Sequence, residues 1–358
     1  MQGNINQEHQ DREAKKRDAY KPLDIPKFLS TRRKNIELNG LSRKTINGIQ
    51  GFTNVQKLTI ESCEHLEDLT GLHELAKDLQ TLEISKCSKL VNISVLAKCT
   101  QLEKLWLRYN GIKDISPLAK CTRLENLWLC ENGIEDISPL ANCPQLENLD
   151  VDGCSNITDI STLAKCTQLQ WLGLSECEGI KDISPLAKCA RLQSLHLSEC
   201  KGIGDLSPLA KCTLLKTLAL CSFSDMTDLS PLANLQQLYE LLVEGCWNIT
   251  DISALAKCTQ LGDVILCGCK ILIDISPLAT CARLKSLNLD GCTSISDLSP
   301  LVNCAQLDSL ELIGCASVTD LSPLVKCTQL KYLDLGGCES ITDLSPLAKC
   351  TRLEKIYR

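Results

Sequence analysis

A pattern of about 23 residues recurs through most of this chain, and it constrains the fold more than any other sequence feature. Successive copies of its core, L-x-x-L-x-L, start 24, 23, 22 and 22 residues apart and then 23 residues apart nine times. The starts are Val55, Leu79, Leu102, Leu124, Leu146, Leu169, Leu192, Leu215, Leu238, Leu261, Leu284, Leu307, Leu330 and Leu353. Self-similarity of this period predicts a solenoid in which each repeat packs on its neighbours.

Each repeat combines a strand with a very short return path. In the copy that starts at Leu330, apolar Leu333 and Leu335 alternate with Tyr332 and Asp334, the period of a strand with one buried face. A repeat of this length leaves no room for a long helix. The predicted fold class is therefore α/β: a right-handed horseshoe with a parallel β-sheet on its concave face and short helical or 3-10 turns on its convex side.

The return path carries a recurring Ser-Pro pair. Nine repeats contain it, as at Ser345 and Pro346. Serine is a favoured helix N-cap, and proline suits the first helical position because its missing N–H has no partner there. We therefore expect the serine to cap a single helical turn in each coil.

The chain divides into three segments of different composition. Residues 1–30 are polar and lack periodicity, which predicts a disordered basic arm, and residues 31–54 are expected to form an N-terminal cap. Residues 55–358 are predicted to form a solenoid of about 14 coils. The formal charge is +5 over residues 1–50 and −11 over the rest, and an acidic body argues against nucleic-acid binding.

All 24 cysteines fall at fixed places in the repeat. Eleven lie three residues before the first leucine of a strand, ten lie three residues after the last, and the remaining three, Cys130, Cys221 and Cys267, fall just after the strand. Members of the second group stand where Asn110 and Asn132 stand in their own repeats, so their side chains are expected to turn inward and bond to the backbone of a neighbouring coil. Zinc binding and disulfides remain the alternatives. A column along the solenoid would spread zinc ligands apart, and no C-x₂-C pair occurs, so we expect no metal and no cofactor.

Two repeat motifs resemble known families. The frame from Cys327 to Asp343, C-x-x-L-x-x-L-x-L-x-x-C-x-x-I-T-D, resembles the cysteine-containing leucine-rich repeats of ubiquitin-ligase F-box adapters. The return I-x-D-I-S-P-L-A at residues 180–187 resembles the repeats of internalins and of protein-phosphatase regulators. The combination D-[IL]-S-P-L-A-K-C-T-[QR]-L is most similar to trypanosome leucine-rich-repeat proteins linked to surface-glycoprotein expression sites. No F-box, RING module or secretion signal accompanies the repeats, so no ligase role is carried over.

The outward positions of the third to seventh repeats carry the candidate binding residues. Trp106 and Trp128 occupy the same strand position in adjacent repeats, so their rings are expected to lie side by side on the concave face. Interfaces favour tryptophan as an anchor, although the rings would also shield the sheet if they packed only on each other and on Tyr109. The complete candidate set is Glu103, Trp106, Arg108, Tyr109, Glu125, Trp128, Asp150, Asp152, Trp171 and His196.

The charges of this face predict the chemistry of the partner. Its strand positions hold more Asp and Glu than Lys and Arg, and Glu103, Glu125 and Glu147 share one column. The expected partner is a protein with a basic and hydrophobic contact segment. Two further contacts are expected: an apolar strip at Ala219, Leu242 and Ile265, and self-association through the C-terminal edge strand.

The function predicted from these features is a non-catalytic protein-binding scaffold. One alternative is an adapter that recruits a second protein through the N-terminal arm, and another is a secreted or surface adhesin of the internalin type. No apolar run is long enough to suggest membrane insertion, and no export signal follows Met1. The predicted location is therefore the cytoplasm, with the nucleus as the alternative.

Overall fold

The computed structural model describes residues 34–223 and 225–358. They form two compact units, which divide between Leu169 and Gln170 and are described separately below. The predicted basic arm, residues 1–30, lies outside the described residues.

Every coil contributes one short strand, and within each unit successive strands pair in parallel. The strands of the first unit are β1 (Asn35–Asn39), β2 (Lys57–Glu61), β3 (Thr81–Ser85), β4 (Lys104–Arg108), β5 (Asn126–Trp128) and β6 (Asn148–Asp150). The strands of the second unit are β7 (Trp171–Gly173), β8 (Ser194–His196), β9 (Thr217–Ala219), β10 (Glu240–Leu242), β11 (Asp263–Ile265), β12 (Ser286–Asn288), β13 (Ser309–Glu311), β14 (Tyr332–Asp334) and β15 (Lys355–Tyr357). The predicted parallel sheet is confirmed.

Strand β1 lies in the segment predicted to be an N-terminal cap. It pairs with β2 over five residues, from Asn35 opposite Lys57 to Asn39 opposite Glu61. Ile36 and Ile46 are buried in the core of this first coil. The segment therefore continues the sheet by one strand.

The return paths are 3-10 helices, as the short period predicts. In the first unit they are Ile49–Gly51, Leu72–Glu74, Ser94–Lys98, Ser116–Lys120, Ser138–Asn142 and Ser161–Lys165. In the second unit they are Ser184–Lys188, Ser207–Lys211, Ser230–Asn234, Ser253–Lys257, Ser276–Thr280, Ser299–Asn303, Ser322–Lys326 and Ser345–Lys349. No helix within the described ranges has the length and apolar character needed to cross a bilayer.

The strands separate core from open face by simple alternation. In β4, Leu105 and Leu107 are fully buried, whereas Lys104 and Arg108 are exposed and Trp106 is partly exposed. Each buried leucine stabilises the coil by about 1.5–3 kcal/mol relative to an exposed one. The core is a column of such aliphatic side chains, and the opposite face of the sheet, called the open face below, is free to vary.

The predicted serine N-cap is wrong. The residue before Ser345 is Leu344, and no side chain caps the helix at that position. Instead, the Asp343 carboxylate accepts hydrogen bonds from the Ser345 N–H (2.8 Å) and from the Ser345 hydroxyl (3.0 Å). Serine is thus the first residue of the 3-10 helix, and the aspartate two residues earlier forms an Asx turn that starts it. The same aspartate–serine contact recurs at the start of eleven 3-10 helices, from Asp114 and Ser116 onward.

Cysteines and asparagines link adjacent coils as predicted. The Cys246 thiol donates to the Leu220 carbonyl of the preceding coil at 3.1 Å. The Asn110 side-chain amide donates in the same way to the Ile84 carbonyl at 3.2 Å. Buried polar groups need hydrogen-bond partners, and each of these side chains supplies a donor to a backbone carbonyl of the preceding coil.

A second cysteine ladder follows the 3-10 helices, and sequence analysis did not anticipate its hydrogen bonds. The Cys121 thiol donates to the Leu96 carbonyl at 3.3 Å, and the Cys258 thiol donates to the Leu232 carbonyl at 3.3 Å. These carbonyls belong to the 3-10 helix of the preceding coil. Side-chain hydrogen bonds therefore link neighbouring coils both near the strands and near the 3-10 helices.

Burial keeps the ladder thiols protonated, which makes them donors. It raises the pKa of Cys246 to about 11 and that of Cys292 to about 12. Cys63 differs because a hydrogen bond from the Cys87 thiol, together with backbone N–H groups, lowers its pKa to about 7. All 24 cysteines are free thiols in the structure.

We expect Asn132 to be the most costly ladder residue to lose. Its amide donates to the carbonyls of Leu107 (2.5 Å), Leu129 (2.7 Å) and Cys130 (3.2 Å), and it accepts from the Ile112 N–H (3.3 Å). Replacing Asn132 by Ala should lower the free energy of unfolding by about 3 kcal/mol, because several buried groups lose their partner. Asn132→Cys keeps one donor and should cost about 1 kcal/mol. Urea unfolding measures both, and equal losses would contradict the ladder role.

The aspartate of each turn makes stability depend on acid pH. Hydrogen bonds from the Ser322 hydroxyl and N–H hold the pKa of Asp320 below its ordinary value. A carboxylate with a lowered folded pKa stabilises the fold above its unfolded pKa of about 3.9 and loses that effect as pH falls through the folded value. The difference in thermal midpoint between wild type and Asp320→Ala should be constant from neutral pH to about 5 and shrink below about 4.

The control for this experiment is Glu339→Gln, which removes an exposed carboxylate outside the turn. Its midpoint difference from wild type should show no comparable change. An Asp320→Ala difference that persists unchanged at pH 2–3 would contradict the Asx-turn interpretation.

Candidate functional site

Four side chains form a column across the open face of the first unit. Strand pairing places Glu83 beside Trp106, Trp106 beside Trp128, and Trp128 beside Asp150. Each is the outward residue between the last two buried aliphatic residues of its repeat core, called the middle outward residue below, so none of them contributes to the leucine core. We call these four residues the tryptophan column.

The two tryptophans stack face to face. Their ring centroids are 4.6 Å apart and the ring planes differ by 5°, and both side chains are partly exposed. The prediction that the rings lie side by side is therefore confirmed. The rings therefore pack on each other, which the alternative of a shielded sheet also expects, and among the described residues Tyr109 is not part of a ring pair.

Arg108 and Tyr109 follow Trp106 at the end of the same strand, and both are exposed. Tyr109 keeps 54% of its surface exposed, with its backbone in the left-handed region at φ 57°. Burial, followed by the negative charge of Asp150, raises the pKa of the Cys130 thiol to about 12, and the Arg108 guanidinium opposes this rise. Charged side chains from both neighbouring coils, Arg108 and Asp150, therefore lie near the Cys130 thiol.

Three glutamates form a second column beside the tryptophan column. The backbone register places Glu125 next to Glu103 and Glu147 next to Glu125. The sequence indicated a column of like charges. The structure adds Arg123, whose guanidinium lies 2.8 Å from the Glu103 carboxylate. The repeat register places Arg123 beside Gln101, two positions before Glu103, so it brings Arg123 near the glutamate column but does not decide that the two side chains pair. The pair is partly exposed, and its net contribution to stability is about 0–1 kcal/mol.

Asp150 and Asp152 lie at the last strand of the first unit. The Asp150 carboxylate accepts a hydrogen bond from the Asp152 N–H at 3.0 Å, which holds it at the surface. Both side chains are partly exposed. They give the far end of the tryptophan column an acidic boundary.

Two predicted site residues belong to the second unit. Trp171 and His196 contact each other with ring centroids 5.4 Å apart and planes tilted by 42°. They occupy diagonal positions, since Trp171 pairs with Ser194 and His196 pairs with Gly173. The His196 Nε2 and Ser194 Oγ atoms are 3.1 Å apart. The candidate set is therefore divided between the units, and the structure brings together only the members within each.

The predicted apolar strip of the second unit is present. Ala219, Leu242 and Ile265 lie in register on three neighbouring strands. Tyr239 lies across Gly262, where an added Cβ would come within 2.2 Å of its ring. The strip is only partly open, since Ala219 is buried and Leu242 and Ile265 are partly exposed.

The described part of the chain contains no group of three or more His, Cys, Asp or Glu side chains arranged to hold a metal ion. Most cysteines lie instead along the two ladders, where thiols such as Cys121 and Cys246 donate to backbone carbonyls, and Cys130, Cys221 and Cys267 lie just after a strand. What the open face offers is a stacked aromatic pair, exposed charges and hydrogen-bonding groups, which suit binding.

Comparisons with known proteins agree with this architecture. The family model for leucine-rich repeats (2 copies) matches residues 77–120, 122–165, 167–211 and 305–349. The crystal structure of an internalin, inlF, from Listeria monocytogenes str. 4b F2365 is 30% identical in sequence and superposes with a TM-score of 0.71. The match covers 90% of this chain and 86% of the internalin chain. The chain belongs to the leucine-rich-repeat family.

Two further structures share the fold of this leucine-rich-repeat protein. The protein LIC12759 from Leptospira interrogans has a TM-score of 0.73 at 16% identity, covering 96% of this chain and 86% of its own. The functional domain of InlJ from Listeria monocytogenes, which includes a cysteine ladder, has a TM-score of 0.59 at 22% identity, covering 90% of this chain and 62% of its own. Among curated protein sequences, none matches this chain significantly. The internalin-like repeat features are thus supported, while the resemblance to trypanosome proteins stays a prediction.

The tryptophan stack of this leucine-rich-repeat protein should make a measurable but modest contribution to stability. Stacked aromatic pairs contribute about 0.5–1.5 kcal/mol beyond buried area. A double-mutant cycle with Trp106→Leu and Trp128→Leu should therefore give a coupling free energy of about 1 kcal/mol in urea unfolding. A coupling near zero would show that the rings do not stack in solution.

Proposed function

We propose that this leucine-rich-repeat protein is a non-catalytic scaffold that binds a protein partner on the open face of its first unit. The observation that supports this most directly is the stacked, partly exposed pair Trp106 and Trp128. Proteins of this family generally act as binding scaffolds. The proposed surface comprises the tryptophan column with Arg108 and Tyr109, flanked by the glutamate column and Asp152.

The fold does not require tryptophan at these positions. In neighbouring coils of the same unit, the equivalent residues are Thr59, Glu83 and Asp150, and those coils form the same strands. The core is already filled by leucines behind the sheet, such as Leu105 and Leu127, which are fully buried. Large aromatic side chains on a face that tolerates small polar ones favour a role in recognition, where tryptophan, tyrosine and arginine are enriched among energetically dominant contacts.

The charge of the surface supports a basic partner segment. Glu125 and Glu131 are exposed, and Glu147, Asp150 and Asp152 are partly exposed. Arg108 and Lys104 are the exposed cations on the same strands. Complementary charge accelerates encounter and disfavours wrong partners, and the aromatic pair supplies apolar contact area. A protein segment that carries arginine or lysine next to an apolar side chain fits both features.

The tryptophan pair can be tested by quantitative capture. The full chain and the Trp106→Ala/Trp128→Ala variant are immobilised at equal density, and captured proteins are compared by mass spectrometry. We expect a specific partner to be reduced at least tenfold by the double substitution, since a pair of central aromatic anchors contributes about 2 kcal/mol or more.

The matched control is Asn288→Ala, which changes the equivalent strand position in the second unit. It should capture the partner as wild type does. Equal capture by the double tryptophan variant, with an unchanged unfolding transition, would contradict the site assignment.

A second candidate function is a secreted or surface binding protein, and the 30% identity to an internalin favours it. Cell fractionation of the protein expressed from its complete natural gene separates this candidate from the proposed cytoplasmic scaffold. Recovery in the medium or at the cell surface would support the secreted form and overturn the cytoplasmic one.

A further inference from the structure

In the coils of β1 to β14, a residue in the left-handed backbone conformation follows the strand, directly after β1 to β4 and three residues after the end of the shorter strands. Glycine adopts this conformation without strain, and other residues are destabilised by it. Glycine occupies the position at Gly40 and Gly153 in the first unit and at Gly245, Gly268, Gly291, Gly314 and Gly337 in the second. Other residues, with φ between 55° and 64°, occupy it at Ser62, Lys86, Tyr109, Glu131, Glu176, Glu199 and Ser222.

The backbone makes the same contact whichever residue is present. The N–H of Tyr109 donates to the Cys130 carbonyl of the next coil at 3.1 Å. The N–H of Gly245 donates to the Cys267 carbonyl at 2.9 Å. The coil therefore imposes the conformation, and glycine would satisfy it at lower energy. A side chain at this position is not explained by the needs of the backbone, and strain of this kind clusters at functional sites.

Four of the seven strained side chains lie in coils that carry an aromatic residue on the open face, whereas Ser62, Lys86 and Ser222 lie in coils with Thr59, Glu83 and Ala219 there. In the first unit, Tyr109 follows Trp106 and Glu131 follows Trp128 in the same coil. In the second unit, strained glutamates follow Trp171 and His196. The coils with Leu242, Ile265, Asn288, Glu311 and Asp334 at the middle position have glycine instead.

Glu131 is accommodated by its neighbour. A Cβ added to Gly153, the equivalent residue of the next coil, would come within 2.8 Å of the Glu131 carboxylate. The carboxylate therefore occupies the space that a side chain at position 153 would fill. Glu131 and Gly153 form a matched pair, which places a negative charge at the surface beside the tryptophan column.

We propose that Tyr109 and Glu131 determine the specificity of the partner surface on the first unit, and that the occupant is a basic protein segment. An apolar side chain of that segment packs against Tyr109 and Trp106, and an arginine or lysine faces Glu131. The exposure of Tyr109, its strained backbone and the room left by Gly153 together carry this inference, which rests on the proposed function.

Thermal midpoints test whether a side chain at the left-handed position destabilises the fold. Tyr109→Gly should raise the thermal midpoint by about 1–3 °C, because it removes left-handed strain without removing core contacts. Ser62→Gly, in a coil without a tryptophan, should raise it similarly. Gly314→Tyr should lower it, because the site has open space within 4 Å but φ is +70°. A lower midpoint for Tyr109→Gly would overturn the strain argument.

The binding test uses a defined probe. Random twelve-residue peptides displayed on phage are selected on the full chain, and a synthetic copy of the most enriched peptide is titrated against each variant. The enriched peptides should combine arginine or lysine with an aromatic or aliphatic residue. Tyr109→Gly and Tyr109→Ala should each weaken binding at least about tenfold, while Ser62→Gly and Gly314→Tyr should leave it unchanged.

The outcomes separate this inference from the proposed function. If Trp106→Ala/Trp128→Ala abolishes binding while Tyr109→Gly and Glu131→Gly leave it unchanged, only the specificity role of the strained residues is overturned. If none of these variants weakens binding, the proposed surface is overturned as well. Enrichment of acidic peptides, or of no peptide, overturns the basic partner.

Discussion

The structure depends on hydrogen bonds that pass from each coil to the next. Each coil consists of a strand of three to five residues and a single 3-10 turn, and buried carbonyl groups of one coil accept hydrogen bonds from side chains of the next. Cys246 and Asn110 donate to such carbonyls on the strand side, and Cys121 donates on the helix side to the Leu96 carbonyl, which also accepts from the Cys99 N–H. Neighbouring coils therefore depend on each other, and stability is expected to accumulate along the array from contacts between neighbours.

Cysteine suits this role because it is small, apolar and, when buried, protonated. Burial raises the pKa of Cys292 to about 12, so its thiol keeps the proton that it donates to the Leu266 carbonyl at 3.0 Å. An asparagine makes more hydrogen bonds at the same position, as Asn132 does, but it also buries more polar surface. A free thiol packs as a weak donor and a small hydrophobe at once.

Because the interior residues are nearly the same in every coil, the outward residues can differ without disturbing the core. Leucine, cysteine and the aspartate–serine turn repeat with little change, whereas the middle outward residue ranges from Thr59 through Trp106 to Asp334. The left-handed residue after the strand varies in the same way, from Gly245 to Tyr109, although only glycine is free of strain there. Non-glycine residues at a position where they are strained are stronger evidence for recognition than differences among exposed residues that the fold tolerates equally.

The sequence by itself determined the strands, the parallel order and the coil-to-coil role of the cysteines that follow the strands, because all three follow from the repeat period. It also determined that Trp106 and Trp128 are neighbours, since equivalent positions of adjacent repeats must lie side by side. The interpretation of Ser345 as a helix cap was wrong, because the cap preference of serine does not show that the Ser345 N–H donates to the Asp343 carboxylate. Only the tertiary structure decided the ring stacking, the Arg123–Glu103 pair and the left-handed backbone of Tyr109, because each depends on side-chain or backbone angles that contacts between coils impose.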